Sequence, residues 1–216
     1  MENADEKYRE FTDGLNPADQ YPRMGVRFPV MRRIGKELVR EKGLDALEML
    51  TDDTYEEVTL QGLVIAGTKM NESDKKALMD RYLDKCGDSW SLVDTFVTSF
   101  KLKDKNLWNR WTQEYVLSGK NAQIRFGYVM MMKLLQDEYI DGILESVIAH
   151  PSDVYYVQMA QAWLLATAAI KYSDKVERIL AENRLNRFTH NKTIQKMVES
   201  FRIDDEVKQK VRGMRQ

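Results

Sequence analysis

Asp88-Ser89-Trp90-Ser91-Leu92-Val93-Asp94-Thr95-Phe96-Val97-Thr98-Ser99-Phe100 puts Val93, Phe96, Val97 and Phe100 at the i, i+3, i+4, i+7 positions of a helix with one buried face. Ile194, Met197, Val198 and Phe201 repeat the stripe, and no run of alternating apolar and polar residues competes with it anywhere. Between such segments stand helix stop and start signals: Gly43, Thr51-Asp52-Asp53, Asn71-Glu72-Ser73-Asp74, Gly87-Asp88-Ser89, Ser118-Gly119, Pro151-Ser152-Asp153 and Thr189. The chain is therefore expected to be all-α, cut into roughly ten helices of modest length.

Short helices joined by short turns pair with their neighbours, either in a closed bundle or in an open stack of hairpins. The segments Gln123 to Leu135 and Val154 to Ile170 are apolar nearly all round, as an inner layer flanked by other helices requires. That favours the stack. Self-similarity of residue identities is weak, so the expectation is a degenerate HEAT-like (ARM-type) solenoid of antiparallel helix pairs, curved around a concave groove. At 216 residues it is read as one domain, 1–216, with residues 1–20 as an N-terminal segment prone to fraying.

A single cysteine, Cys86, leaves no internal disulfide, and the opening MENADEKYRE lacks an apolar signal core, so a reducing cytoplasm is expected. Val154 to Ile170 is interrupted by Gln158, Gln161 and Thr167 and reads as a buried helix, not a membrane span. The formal net charge of −1 excludes a uniformly basic nucleic-acid binder but conceals an asymmetry. Acidic residues crowd the first twenty positions, while basic ones cluster at Arg23, Arg27, Arg32, Arg33 and Lys36, at Lys101 to Arg110, and after Asn183. Each cluster has two readings, a solvated helix face or a surface for phosphates.

His150 and His190 are too few and too far apart for metal-ligand spacing, and no Gly-rich phosphate loop is present, so neither a metal nor another cofactor is expected. Cys86, before Gly87 at a helix end, reads as a structural thiol. What remains is aromatic and charged. Trp90 and Asp94 are four apart, one turn apart on one side of a helix, toward the edge of the Val93 stripe. There a ring is half buried and a carboxylate faces a groove; alternatively Asp94, three after Ser91, is a first-turn acid meeting the helix dipole. Arg125, near the start of an apolar helix, gains nothing from the dipole: either it meets a phosphate or carboxylate, or it snorkels to solvent. Trp163, inside the most apolar helix, reads by default as core.

Taken together, Gly25-Val26-Arg27-Phe28-Pro29-Val30-Met31-Arg32, Glu57 to Lys69, Trp90-Ser91-Leu92-Val93-Asp94, Tyr155-Tyr156-Val157-Gln158-Met159-Ala160-Gln161-Ala162-Trp163 and Asn191-Lys192-Thr193-Ile194-Gln195-Lys196 resemble the AlkD-type DNA alkylation repair proteins, in the same order and over most of the chain. The resemblance implies a bacterial glycosylase that excises cationic N3- or N7-alkylated purines from duplex DNA as a cytoplasmic monomer, without metal or cofactor. It further implies Asp94 as the catalytic carboxylate, Trp90 and Trp163 as aromatic walls around the deoxyribose, and Arg125 as a backbone-phosphate contact. Arg27, Arg32, Lys69, Arg187, Lys192 and Lys196 are the remaining DNA-binding residues expected. Two departures stand out: Ile124 and Phe126 flank Arg125 where relatives carry further basic residues, and Ala166-Thr167-Ala168 stands where an arginine often follows the second tryptophan. The alternatives are a HEAT-like module that binds damaged or branched DNA without catalysis, and a helical scaffold for a protein partner.

Overall fold

The computed structural model describes residues 4–15 and 19–216. Among these residues are twelve α-helices: α1 Glu6–Leu15, α2 Phe28–Glu41, α3 Tyr55–Gly67, α4 Glu72–Cys86, α5 Trp90–Ser99, α6 Lys105–Val116, α7 Asn121–Met131, α8 Ile140–Ala149, α9 Tyr155–Ala168, α10 Ser173–Ala181, α11 Arg187–Glu199 and α12 Asp205–Arg212. Two 3-10 segments, Gly43–Met49 and Met132–Leu134, complete the set, and the β pairing described is one isolated bridge, Ala4 to Val26. The all-α expectation holds, and the helices pack in neighbouring pairs. They form two compact units, residues 1–101 and 102–216.

In the first unit α2 and α3 run in the same direction, because Gly35 lies against Leu63 and Gly67 against Val39. α5 also packs on α3, and α4 touches both. Tyr82 of α4 enters the gap above Gly62, where a Cβ would come within 2.7 Å of its ring, and meets Phe96 at 4.3 Å between centroids. The helix starts are set locally: Thr54, Asn71 and Ser89 each accept a backbone N–H of the first turn, as N-cap residues do. Within the first twenty positions, 1–3 and 16–18 lie outside the description, and the rest includes α1. Asp5 accepts from the Tyr8 amide at its start, and its own amide donates to the Gly25 carbonyl.

In the second unit α7 and α9 run side by side, joined near their starts by Arg125 and Tyr156 and near their ends by Met132 and Thr167. α11 continues this layer against α9. α8 is joined to α10 by Asp141 and Lys175 and to the segment after α10 by Glu145 and Arg184, and α12 meets α10 through Lys210 and Glu177. The first two pairs are exposed and add little, so the apolar interior carries the unit. It contains Phe126, Met130, Ile143, Leu164, Leu165, Val176 and Ile194, all essentially inaccessible.

Equivalent positions face each other at a regular interval. Met24 to Glu56 spans 32 residues and Asp52 to Lys85 spans 33 in the first unit. In the second unit Tyr128 to Gln161 spans 33, Asp137 to Lys171 spans 34 and Ser152 to Asn186 spans 34. Within each unit this is the register of a helical repeat of about 33 residues.

Three details of the sequence reading are corrected. Phe201 does not extend the α11 stripe: the helix ends at Glu199, Ser200 turns to an extended conformation, and Phe201 is fully exposed. Thr189 does not mark a boundary, because Asn186 is the N-cap and Thr189 lies in the first turn of α11. Trp163 is not core, being 40% exposed on α9.

Candidate functional site

In the first unit Trp90 and Asp94 line one cleft of about 280 Å³, together with Tyr8, Phe11 and Leu15 of α1, Phe28 and Met31 of α2, and Tyr55 and Glu56 of α3. Both side chains are half-buried, as their place at the edge of the stripe requires. The N-cap of α5 is Ser89, not Ser91, so Asp94 lies in the second turn. Its proximity to the helix N-terminus therefore offers a smaller dipole benefit than a first-turn acid receives.

Glu56 sets the mouth of the cleft. Buried, it accepts the backbone N–H groups of Met24 at 3.0 Å, Gly25 at 2.9 Å and Val26 at 3.0 Å, which fixes the segment leading into α2. Charge-assisted bonds of this kind contribute about 1.5 to 3 kcal/mol each. Gly25 holds φ at +83°, and a Cβ there would lie 2.3 Å from the Asp5 carbonyl oxygen, so glycine is the residue this contact admits. Beside Glu56, the Arg23 guanidinium stacks over the Tyr55 ring at 3.5 Å, pairs with Asp19 and Asp13, and donates to Ser91 Oγ at 3.3 Å. Ser91 is the neighbour of Trp90, so this buried cation braces the first turn of α5.

The predicted DNA-binding residues of this unit divide. Arg32 donates to Thr98 Oγ1 at 3.3 Å, one helical turn beyond Asp94, and so lies along the same side of α5. Arg27 is paired with Asp5 at 2.7 Å, and the guanidinium holds the Asp5 carboxyl below the usual carboxylate range. Lys69 follows the end of α3, whereas Tyr55 and Glu56 at the start of α3 line the cleft, so Lys69 is at the other end of that helix.

In the second unit Tyr155, Met159 and Trp163 recur every fourth residue on one side of α9, with both Tyr155 and Trp163 exposed. Phe188 of α11 meets Tyr155 edge to face at 5.7 Å, and Lys192 Nζ lies 5.8 Å above the Phe188 ring. Lys192 also donates to Gln195 at 2.7 Å. Lys196, one turn on, is half-buried, and Arg187 at the start of the helix is exposed. Arg125 neither snorkels nor faces solvent. It is 6% exposed, and its Nη1 donates to the Tyr156 carbonyl at 2.6 Å, fixing the first turn of α9.

Several lining residues escaped the sequence reading. Tyr8, Phe11 and Leu15 form an i, i+3, i+7 stripe within the acidic opening segment, a signal that was available. Glu56 had no such signal, because its partners are backbone amides from another part of the chain. Among the described residues no group of three or more His, Cys, Asp or Glu side chains is placed to hold a metal ion, and no helix is long and apolar enough to cross a membrane.

No curated protein matches the chain. The family model described as DNA alkylation repair enzyme matches residues 2–197, which takes in every helix from α1 to α10 and most of α11. With nine-tenths of its length matched in this way, the chain belongs to the DNA alkylation repair enzyme family.

Proposed function

We propose that the protein is a DNA glycosylase that releases cationic N3- or N7-alkylpurines from duplex DNA. The observation that carries the reading is the pair on α5: an indole and a carboxylate one turn apart, half-buried in a cleft whose other walls include the rings of Tyr8, Phe11, Phe28 and Tyr55. Alkylation leaves the purine positively charged, so when the C1′–N bond breaks the electron pair departs with the base and neutralises it. The sugar then carries oxocarbenium-like charge at C1′. Asp94 opposes that charge electrostatically and orients a water, whose oxygen bonds to C1′ while its proton passes to the carboxylate or to solvent. The face of Trp90 attracts the cationic base and sugar, and the family resemblance gives Trp163, on α9 of the second unit, an aromatic role of the same kind. Arg32, Lys69, Arg187, Lys192 and Lys196 face the phosphates in this reading, and Arg125 sets the first turn of the helix that carries Trp163.

A second reading, DNA binding without excision, is favoured by one observation: Arg125 and Arg27 are both engaged within the protein, at Tyr156 and Asp5. Release of N7-methylguanine and N3-methyladenine from methylated duplex DNA separates the two. Asp94→Asn is expected to slow release by about 10²-fold or more, the loss typical for removal of one preorganised electrostatic group. Equal release by both proteins removes Asp94 from the mechanism, and no release by the unaltered protein favours the binding module.

A further inference from the structure

Arg32, Lys36 and Arg40 stand at i, i+4 and i+8 on α2, with Arg33 beside them, and all four are exposed. Together with Pro29 and Glu37 they line a shallow open depression on the helix surface of about 530 Å³. Like charges four apart on a helix repel, so this stripe weakens α2 unless an anion lies along it. The acids nearby relieve it only at one end: Arg40 pairs with Glu41 and feels Glu37, whereas Arg33 and Lys36 have no ion pair among the contacts described. Burial is not the reason for these residues either, since α2 packs through Met31 and Gly35 on its other side.

The stripe is continuous with the cleft. Phe28, one turn before Arg32, lines the cleft and carries the Arg32 guanidinium over its ring at 4.7 Å, and Arg32 also reaches Thr98, one turn past Asp94. From there the cations lead away along α2. We propose that this stripe is a second grip on the sugar–phosphate backbone of the duplex, beside the lesion and not at it, made by Arg33, Lys36 and Arg40 in series with Arg32. Three cations in the i, i+4, i+8 register span about 12 Å of helix, enough for about three to four phosphates of one strand. The stripe reads no sequence. Its role is to hold the duplex in place while the cleft works on one nucleotide. The inference rests on the proposed DNA-repair reading only for its ligand, duplex DNA.

The test is the salt dependence of binding to an undamaged duplex, measured for the full chain and for Arg33→Gln, Lys36→Gln and Arg40→Gln combined. Each phosphate contact contributes about 0.9 to the slope of log K against log salt, so the triple variant is expected to lower that slope by about 2.7. A companion variant, Arg33→Lys with Arg40→Lys, keeps the charges and is expected to keep the slope, which separates electrostatics from any structural role of the side chains. A triple variant whose slope matches the unaltered protein overturns the stripe and leaves the glycosylase reading standing. The expected loss of slope, in a protein that releases no base, supports the stripe and sinks catalysis. Failure of the unaltered protein to bind any duplex overturns both.

Discussion

At the scale of single residues, the informative finding is an exposed tryptophan on a mostly buried helix. Trp163 and Leu164 are neighbours on α9, yet the first is 40% exposed and the second is fully enclosed. Their truncations are expected to differ in opposite ways. Leu164→Ala removes a packed side chain and costs about 2 to 5 kcal/mol in denaturant unfolding, whereas Trp163→Ala costs about 1 kcal/mol or less. Base release follows the reverse order, lost with Trp163 and retained by whatever Leu164→Ala protein stays folded. A Trp163→Ala protein that unfolds as readily as the leucine variant shows the ring to be structural. Residue-level reading went astray here because an apolar run suggests burial of every member, while a large ring at a layer's open face is apolar for another reason. Arg125 is the converse case. Its charge suggested an outward contact, and only the position of the Tyr156 carbonyl, 31 residues away, shows that the guanidinium is used to join two helices.

At the scale of elements, periodicity and caps gave most of the helices, and the repeat itself was hidden. The stripe Val93, Phe96, Val97 and Phe100 is buried throughout, and the turns at Asn71, Ser89 and Pro151 to Asp153 fall between helices. The interval of about 33 residues lies in which positions meet, not in which residue types recur, because a Met–Glu contact in one pair is a Tyr–Gln contact in another. Close packing between elements has its own signature in Gly127 of α7. A Cβ there would lie 2.8 Å from the Thr112 backbone oxygen of α6, and backbone cannot step aside as a side-chain end does. Gly127→Ala is expected to destabilise by about 1 to 3 kcal/mol despite alanine's better helix propensity. Gly142→Ala on α8, with nothing near its added methyl, is expected to stabilise by up to about 1 kcal/mol. Thermal unfolding of the two variants checks this, and a shift of the same sign in both speaks against close α6–α7 approach.

At the scale of the whole molecule, each unit holds phenol or thiol groups that folding keeps protonated. Burial pushes the Cys86 thiol and the Tyr82 hydroxyl far up in the first unit, and pushes Tyr128 up to about 12 in the second. The unfolded chain releases these protons from ordinary values of 9.0 for the cysteine and 10.0 for the tyrosines, whereas the folded chain retains them. Above about pH 9 the folded state therefore binds more protons than the unfolded one, and stability falls as pH rises; below that point these groups contribute no slope. Urea unfolding from pH 8 to 11 is expected to show this loss, and Cys86→Ala is expected to flatten its onset. An unchanged onset removes the thiol from the account. The fold class and the family were legible in the order of motifs along the chain. The cleft was legible only in part, since Trp90 and Asp94 share a helix but Tyr8, Phe28 and Tyr55 reach it from three others.

The four indoles of this protein also make it its own optical probe. Trp108 and Trp111 are enclosed in α6 with their rings 5.1 Å apart, shielded from collisional quenchers and inclined to exchange excitation with each other. Trp90 is half open and Trp163 is open to solvent. Iodide in the buffer therefore dims chiefly the two rings assigned to the sugar, and protection of that emission by a duplex reports occupancy of those residues directly, without a label.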